Sequence, residues 1–498
     1  MIVTAVVLVG ESVAGSGGKG LSDDWLATPL MEAMDKVAAK PARAISLLKA
    51  GNSEQAVEVL KDAVTSDRDR DAQYLLGWCH ASGTGTARSL KQARDMFHGA
   101  ALREHRASQY SLGRLLLDTA QAGNKRMVDS GITYIGQAAE AGMPAAMGAL
   151  GQIYRYGVHG SIEVDTRQAV AWLKQAANAG DAEALYHQGV MLENGEAGKV
   201  DLRQAGDLLN SAANNGSTAA MVYLGKHEAA KVPPNKSGAK TWFEKAANLN
   251  SADARHQLGL LLQNTDPSQA FDYFRHAAAQ DHSEAQSDLG FCYEHGYGTD
   301  KNASEAFSWY QKSAKRGDRF GMYNLAGCYE KGLGVGSDDA KASKWFRSSG
   351  IAGLAEAQHM VGLRYLSGVA GEKDLVAAAA WFELAAKQEY PPAMCDLGEI
   401  HETSKGMLYD STKALNLYLG AIAKEHAEAR FRLGTMHKEG NGVPVNLEVA
   451  YILYLGAVEQ GYTEGKRDLQ SLGRLLTPDR QKAADARYKA SPSAVPAG

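Results

Sequence analysis

A Leu-Gly pair, or a close substitute, returns about every 36 residues along almost the whole of this chain. Its second member falls at Gly77, Gly113, Gly151, Gly189, Gly225, Gly259, Gly290, Ala326, Gly362, Gly398, Gly434 and Gly473, at intervals of 31 to 39 residues. A period of that size marks a stack of small units, none of which buries its apolar face alone. Chain length then loses its usual meaning. The 498 residues would suggest about three domains at roughly 150 residues each, but an array simply grows by adding units and offers a long surface in place of one catalytic pocket.

The segment 282–317 shows the grammar of a unit. In HSEAQSDLGFCYEHGYG, Ala285, Leu289, Cys292 and Tyr293 fall three to four residues apart and share one helix face. Gly290 on that helix presents no side chain, which lets another helix come close. Gly296 and Gly298 end the helix and turn the chain. SEAFSWYQKSAKRG then forms a second helix, whose inner face is expected to be Ala306, Trp309 and Ala314, closed by Gly317. Trp172, Trp242, Trp309, Trp345 and Trp381 occupy the same slot, and Ala-Ala pairs follow one turn later at Ala176-Ala177, Ala212-Ala213, Ala246-Ala247 and Ala385-Ala386. Large rings alternating with alanine and glycine suit helices that interlock at short range. Asp165, Asp201 and Asp300 precede second helices, where helix capping accounts for them.

The remaining composition excludes more than it suggests. A net charge of −4 with no basic run gives no nucleic-acid footprint. No apolar stretch approaches the ~20 residues that span a bilayer. Cys79, Cys292 and Cys328 share one column, two residues after the Leu-Gly mark, and with Cys395 read as small buried side chains. The 14 histidines make no His-Glu-x-x-His and no Cys/His zinc spacing, and His80, His401 and His437 recur in one column as packing residues. No Gly-x-Ser-x-Gly elbow is present. The reading is therefore a non-enzyme with no catalytic residue, no metal ligand and no cofactor.

The chain ends depart from the repeat. Residues 1–20 are a short apolar run and a Gly/Ser segment, expected to be a flexible non-repeat piece. They fall short of a phosphate-binding loop: Gly15 is followed by Ser16, and Lys19 by Gly20 in place of Ser or Thr. This start lacks the basic opening and cleavage site of a secretory signal, which favours the cytoplasm, with a periplasmic or secreted location as the alternative if a signal was missed or removed. Residues 21–70 read as an N-terminal helical cap with a divergent repeat, 71–462 as the tandem repeats, 463–490 as C-terminal capping helices with a polar outer face, and 491–498 as a loose tail. KVPPNKSG after Gly225 and NTDP after Gly259 replace the usual Gly-x-Gly turn, so stacking is expected to change locally between about 225 and 290.

GALGQIYRYGV (148–158), SDLGFCYEHGYG (287–298), YNLAGCYEKGLGV (323–335) and FRLGTMHKEGNGV (431–443) resemble the Sel-one-like repeat (SLR) family, a relative of the tetratricopeptide repeats. The resemblance runs over roughly residues 70–465. It implies an all-α, right-handed α/α solenoid of about 11 to 12 helix-turn-helix repeats of ~36 residues, with first helices lining the concave side. On those helices, positions three before, one after and five after the Leu-Gly mark lie four apart and form a stripe. It holds Tyr74, Trp78, Tyr110, Arg114, Tyr186, Asn194, Phe291, His295, Tyr323, Lys331 and His359. Aromatics and Arg dominate binding hot spots, although the same side chains also suit packing against a neighbouring helix. The expected function is a protein-protein interaction scaffold or adaptor that holds a protein or peptide partner on the concave face. Alternatives are an inhibitor or immunity-type partner of a secreted bacterial effector, an exported scaffold of a polysaccharide or envelope assembly, and a nucleotide-dependent activity based on residues 1–20.

Overall fold

The computed structural model describes residues 38–120, 124–158, 161–369, 371, 373–404 and 409–491. The expectations for 1–20, for the beginning of the N-terminal cap and for the tail after 491 lie outside the described residues. Among the described residues there are 26 α-helices and no strand, only an isolated bridge between Val158 and Ile162. The chain divides into two compact units, 1–282 and 283–498. In the first, a hairpin of Ala39–Lys49 and Ser53–Ser66 precedes the pairs Arg70–Ser82/Leu90–Ala101, Arg106–Thr119/Lys125–Glu140, Pro144–Tyr156/Thr166–Asn178, Ala182–Glu193/Leu202–Asn214, Thr218–Ala229/Lys236–Asn248 and Ala252–Leu262/Pro267–Ala279. In the second, the pairs are Ser283–His295/Ala303–Lys315, Arg319–Lys331/Asp339–Ile351, Ala355–Ser367/Leu375–Ala386, Pro391–Thr403/Ser411–Ala423 and Ala427–Glu439/Leu447–Glu459, followed by Lys466–Leu475 and Pro478–Ala490.

Each hairpin closes on its Leu-Gly glycine. A Cβ added at Gly77 would lie 2.8 Å from the Phe97 ring, and one at Gly151, Gly290, Gly398 or Gly434 would lie 2.7 Å from Leu173, Tyr310, Tyr418 or Tyr454. Gly225, Gly259 and Gly362 meet Phe243, Phe274 and Phe382 still more closely. Every one of these partners comes from the second helix of the same hairpin and is buried. Removing a side chain from the first helix thus admits a large one from the second, and burying each such side chain stabilises by about 1.5–3 kcal/mol.

This contact corrects the expected inner face of the second helix. Ala306 and Ala314 are buried, but the third member is Tyr310 and not Trp309. Leu173, Phe243, Phe346 and Phe382 likewise follow the tryptophan by one residue and take the buried place. The tryptophans themselves are half-buried. Trp381 instead packs beside Gly350 of the preceding hairpin, and the Lys312 ammonium lies over Trp309 at 3.5 Å from the ring centroid.

Capping fixes where the second helices start. Asp165 and Asp201 accept from the backbone N–H of Gln168 and Gln204 at 3.0 and 2.9 Å. Asp300 does not cap. The helix starts at Ala303, and Asn302 is the cap, accepting from the Glu305 N–H at 3.1 Å. First helices end on left-handed glycines such as Gly83, Gly332 and Gly440. The second glycine of the Gly-x-Gly turn has a steric reason as well. Gly85 and Gly334 sit on the carbonyls of Ser53 and Ala303, which open the preceding second helix, and a Cβ would collide there.

Two substitutions test this packing. Gly362→Val, placed against Phe382, is expected to lower stability by about 1–3 kcal/mol in urea unfolding, as overpacking does. Gly136→Ala, in a helix and with open space around the position, is expected to leave stability unchanged or raise it by up to about 1 kcal/mol.

Candidate functional site

The stripe on the first helices divides into two kinds of position. Three residues before the mark, the side chain turns towards the last residue of the same repeat, just ahead of the next first helix. Tyr74 meets His105 at a ring-centroid distance of 5.1 Å, His359 meets Tyr390 at 5.5 Å and Phe431 meets Tyr462 at 5.1 Å. Under that residue Tyr74 is 0% exposed, and Tyr110, in a core with Ile135 and Met143, is 5% exposed. Trp78 is also 5% exposed, inside the core shared by the first hairpins. Tyr74, Trp78 and Tyr110 are therefore packing residues, which corrects their assignment as partner contacts. Tyr186, Tyr323 and His359 are half-buried: Tyr186 packs edge-on to Tyr223 at 5.8 Å, Tyr323 edge-on to Phe346 at 5.4 Å, and His359 Nε2 lies 2.6 Å from Asp396 Oδ2.

Apart from Trp78, the stripe positions after the mark reach the surface. Arg114 is half-buried, while Asn194, Phe291, His295 and Lys331 are exposed. Phe291 and His295 stack at 4.2 Å with 30° between their planes, and Tyr297 stacks on Phe291 at 5.6 Å and 9°. Phe291 and Tyr297 remain 43% and 52% exposed. Sequence reading did not include Tyr297, because it lies beyond the helix, between Gly296 and Gly298. Its signal was the turn itself: two left-handed glycines hold a fixed bend and aim the ring back along the helix.

Buried arginines tie successive hairpins together. Arg155 makes a two-pronged pair with Glu196 in the next hairpin, each N–O distance 2.7 Å. That pair holds the Glu196 carboxyl below the usual carboxylate range. Arg364 reaches Glu330 at 2.6 Å, Ser343 Oγ at 2.8 Å and the Asp339 carbonyl at 3.1 Å in the preceding hairpin. A lone Arg on an otherwise apolar face carries no spacing signal, so the sequence did not mark either of them. The cysteines match the reading given to them: all four are buried and reduced, and burial pushes the Cys79, Cys292 and Cys328 thiols up to about 12.

One cluster that the sequence did not suggest joins Asp253, His256 and His282, whose nitrogen and oxygen atoms lie within 4.8 Å of one another. Asp253 and His256 are three apart on the helix Ala252–Leu262, but His282 lies after the following helix, a separation that no short motif describes.

These features define a class: an all-α protein of tandem helical hairpins, of the tetratricopeptide kind. The chain belongs to the Sel1 repeat family, whose pattern matches residues 70–105, 144–181, 182–217, 218–251, 252–282, 283–318, 320–354, 355–390, 391–426 and 427–462. The interval 106–143, unmatched, holds a hairpin of the same kind, Arg106–Thr119 and Lys125–Glu140. Among solved structures, a protective antigen of uropathogenic Escherichia coli with an SLR fold aligns with a TM-score of 0.53 and 25% identity, over 89% of this chain and 99% of that one. Among characterised proteins, a chitin synthase regulator of Saccharomyces cerevisiae is 30% identical over 47% of this chain and 36% of its own length. The DAP3-binding cell death enhancer 1 of Mus musculus is 28% identical over 40% of each. The chain thus spans less than half the length of these two relatives. Proteins of this family generally mediate protein-protein interactions, and the fold is typically a non-catalytic scaffold. No helix among the described residues is long and apolar enough to cross a membrane.

Burial also sets a pH response. His187 is held down to about 4, first by burial and then by the charge of Arg155. Its unfolded form binds a proton that the folded form excludes, so stability present at neutral pH drains away as pH falls from about 6.5 towards 4. His80 and His426 are lowered mainly by burial too and act in the same direction. The melting temperature is expected to fall between about pH 7 and pH 5, and His187→Gln should make that fall shallower.

Proposed function

We propose that this chain is a non-catalytic scaffold or adaptor that holds a protein or peptide partner along its first-helix surface. The observation that carries the reading is the exposed stack of Phe291, His295 and Tyr297. Three rings pre-ordered on one another lose little side-chain freedom when a partner covers them, and aromatic anchors of this kind supply most of the energy of an interface. In the same compact unit, the exposed Lys331 occupies the stripe in the next repeat and supplies a polar contact. Two relatives are named for another protein, one as a regulator of chitin synthase and one as binding DAP3.

Affinity capture with cross-linking and mass spectrometry tests the proposal, with thermal melting alongside. The double variant Phe291→Ala/Tyr297→Ala is expected to lose its captured partner by about tenfold or more, as loss of hot-spot anchors does, while its melting temperature stays near that of the parent. Tyr74→Ala should do the reverse, lowering the melting temperature by removing a buried ring and retaining the partner. Undiminished capture by the double variant would overturn the assignment of this surface.

A further inference from the structure

We propose that Asp253, His256 and His282 form a binding site for a divalent transition-metal ion, best matched by zinc. The cluster is the only group of three such side chains within ligand distance among the described residues. The His282 Nε2 lies 3.9 Å from Asp253 Oδ1, and the His256 and His282 rings stand 4.7 Å apart with 38° between their planes. Zinc holds nitrogen and carboxylate oxygen at about 2.0–2.2 Å in a tetrahedron, which sets donor atoms roughly 3.3–3.6 Å from one another. The Asp253–His282 gap is already close to that, and small side-chain rotations close the rest.

The molecule contains its own comparison. In the repeat 70–105 the equivalent positions hold Asp71, Tyr74 and His105. There His105 Nε2 pairs with Asp71 Oδ1 at 3.2 Å beneath the tyrosine ring. That arrangement is an ordinary carboxylate–imidazole pair with two donors. In the repeat 252–282 the tyrosine position carries His256, which brings a second imidazole to the same pair, and the carboxylate–imidazole distance opens to 3.9 Å. At His359 the histidine is present beside Asp396 and the phenol of Tyr390, but among the described residues no second imidazole joins that pair within ligand distance.

The surroundings permit entry. His256 is buried, while Asp253 and His282 are partly exposed and leave one side open to water for a fourth ligand. Lys226 competes for Asp253 at 3.6 Å, but its side chain is half exposed, and such a pair holds weakly. Two imidazoles and one carboxylate favour zinc, cobalt, nickel or copper over calcium and magnesium, which prefer all-oxygen shells. A bound ion would fasten the start of the helix Ala252–Leu262 to the turn that closes the same repeat, the shortest of those matched.

The test uses the full chain without a histidine tag, stripped with a chelator and titrated with zinc by calorimetry and with cobalt by visible absorption. One equivalent of each ion is expected to bind, with the tetrahedral cobalt bands and a higher melting temperature. His256→Tyr restores the residue found at the equivalent Tyr74 and so keeps the packing. It should weaken binding by more than the ~10–100-fold typical of lost outer-shell partners, with melting of the metal-free chain little changed. Asp253→Asn, on a partly exposed side chain, should weaken binding without touching the core, and His227→Ala, at an exposed imidazole that faces Glu193 at 3.4 Å and lies outside the cluster, should leave it intact. No stoichiometric binding by the parent chain, or unchanged binding in both Asp253→Asn and His256→Tyr, overturns the proposal.

Discussion

Everything in this structure rests on a glycine facing a large apolar side chain, most often a ring. Within each regular hairpin the Leu-Gly glycine yields the space that Phe97, Leu173, Phe243, Tyr310 or their equivalents fill. The contact sets how near the two helices approach, and the approach in turn decides which residues on either side are covered. Ala326 shows how little tolerance there is. It is the one non-glycine at the mark, it is wholly buried in the same core as Phe346, and it adds only a methyl group. Larger side chains at this point would part the helices and uncover the alanines behind the ring.

The architecture was legible in the sequence because it depends on this contact and on turn glycines, both of which recur at a visible period. Helix pairing, the caps at Asp165 and Asp201, and the burial of the cysteines follow directly from residue spacing. The errors have a common cause. Trp309 and Tyr310 are adjacent, and periodicity alone does not decide which of two neighbouring large rings faces inward. The glycine opposite decides it, and that requires the second helix to be placed in three dimensions. Asp300 and Asn302 show the same one- or two-residue ambiguity at a helix start.

The candidate surface was legible only in part. Spacing put Tyr74, Tyr110, Phe291 and His295 on one stripe, but it could not show that the residue closing the repeat covers Tyr74, that Tyr110 is buried too, and that the other two stay open. Features built from distant segments were invisible for the same reason. Arg155 with Glu196, Arg364 with Glu330, and the group of Asp253, His256 and His282 each join segments 26 or more residues apart. The covered and open positions divide the work between them: the first fix neighbouring hairpins, and the second are left for a partner.

The ladder of contacts from each first helix to the last residue of its repeat has a kinetic consequence. Tyr74 to His105, His359 to Tyr390 and Phe431 to Tyr462 all span the same short stretch of chain, and the glycine–ring contacts span less. Ordering such contacts closes only small loops, so little chain entropy is lost before each is rewarded. Any hairpin can then serve as a nucleus from which order spreads to its neighbours, and a chain emerging from the ribosome can consolidate its early repeats before the later ones have been made.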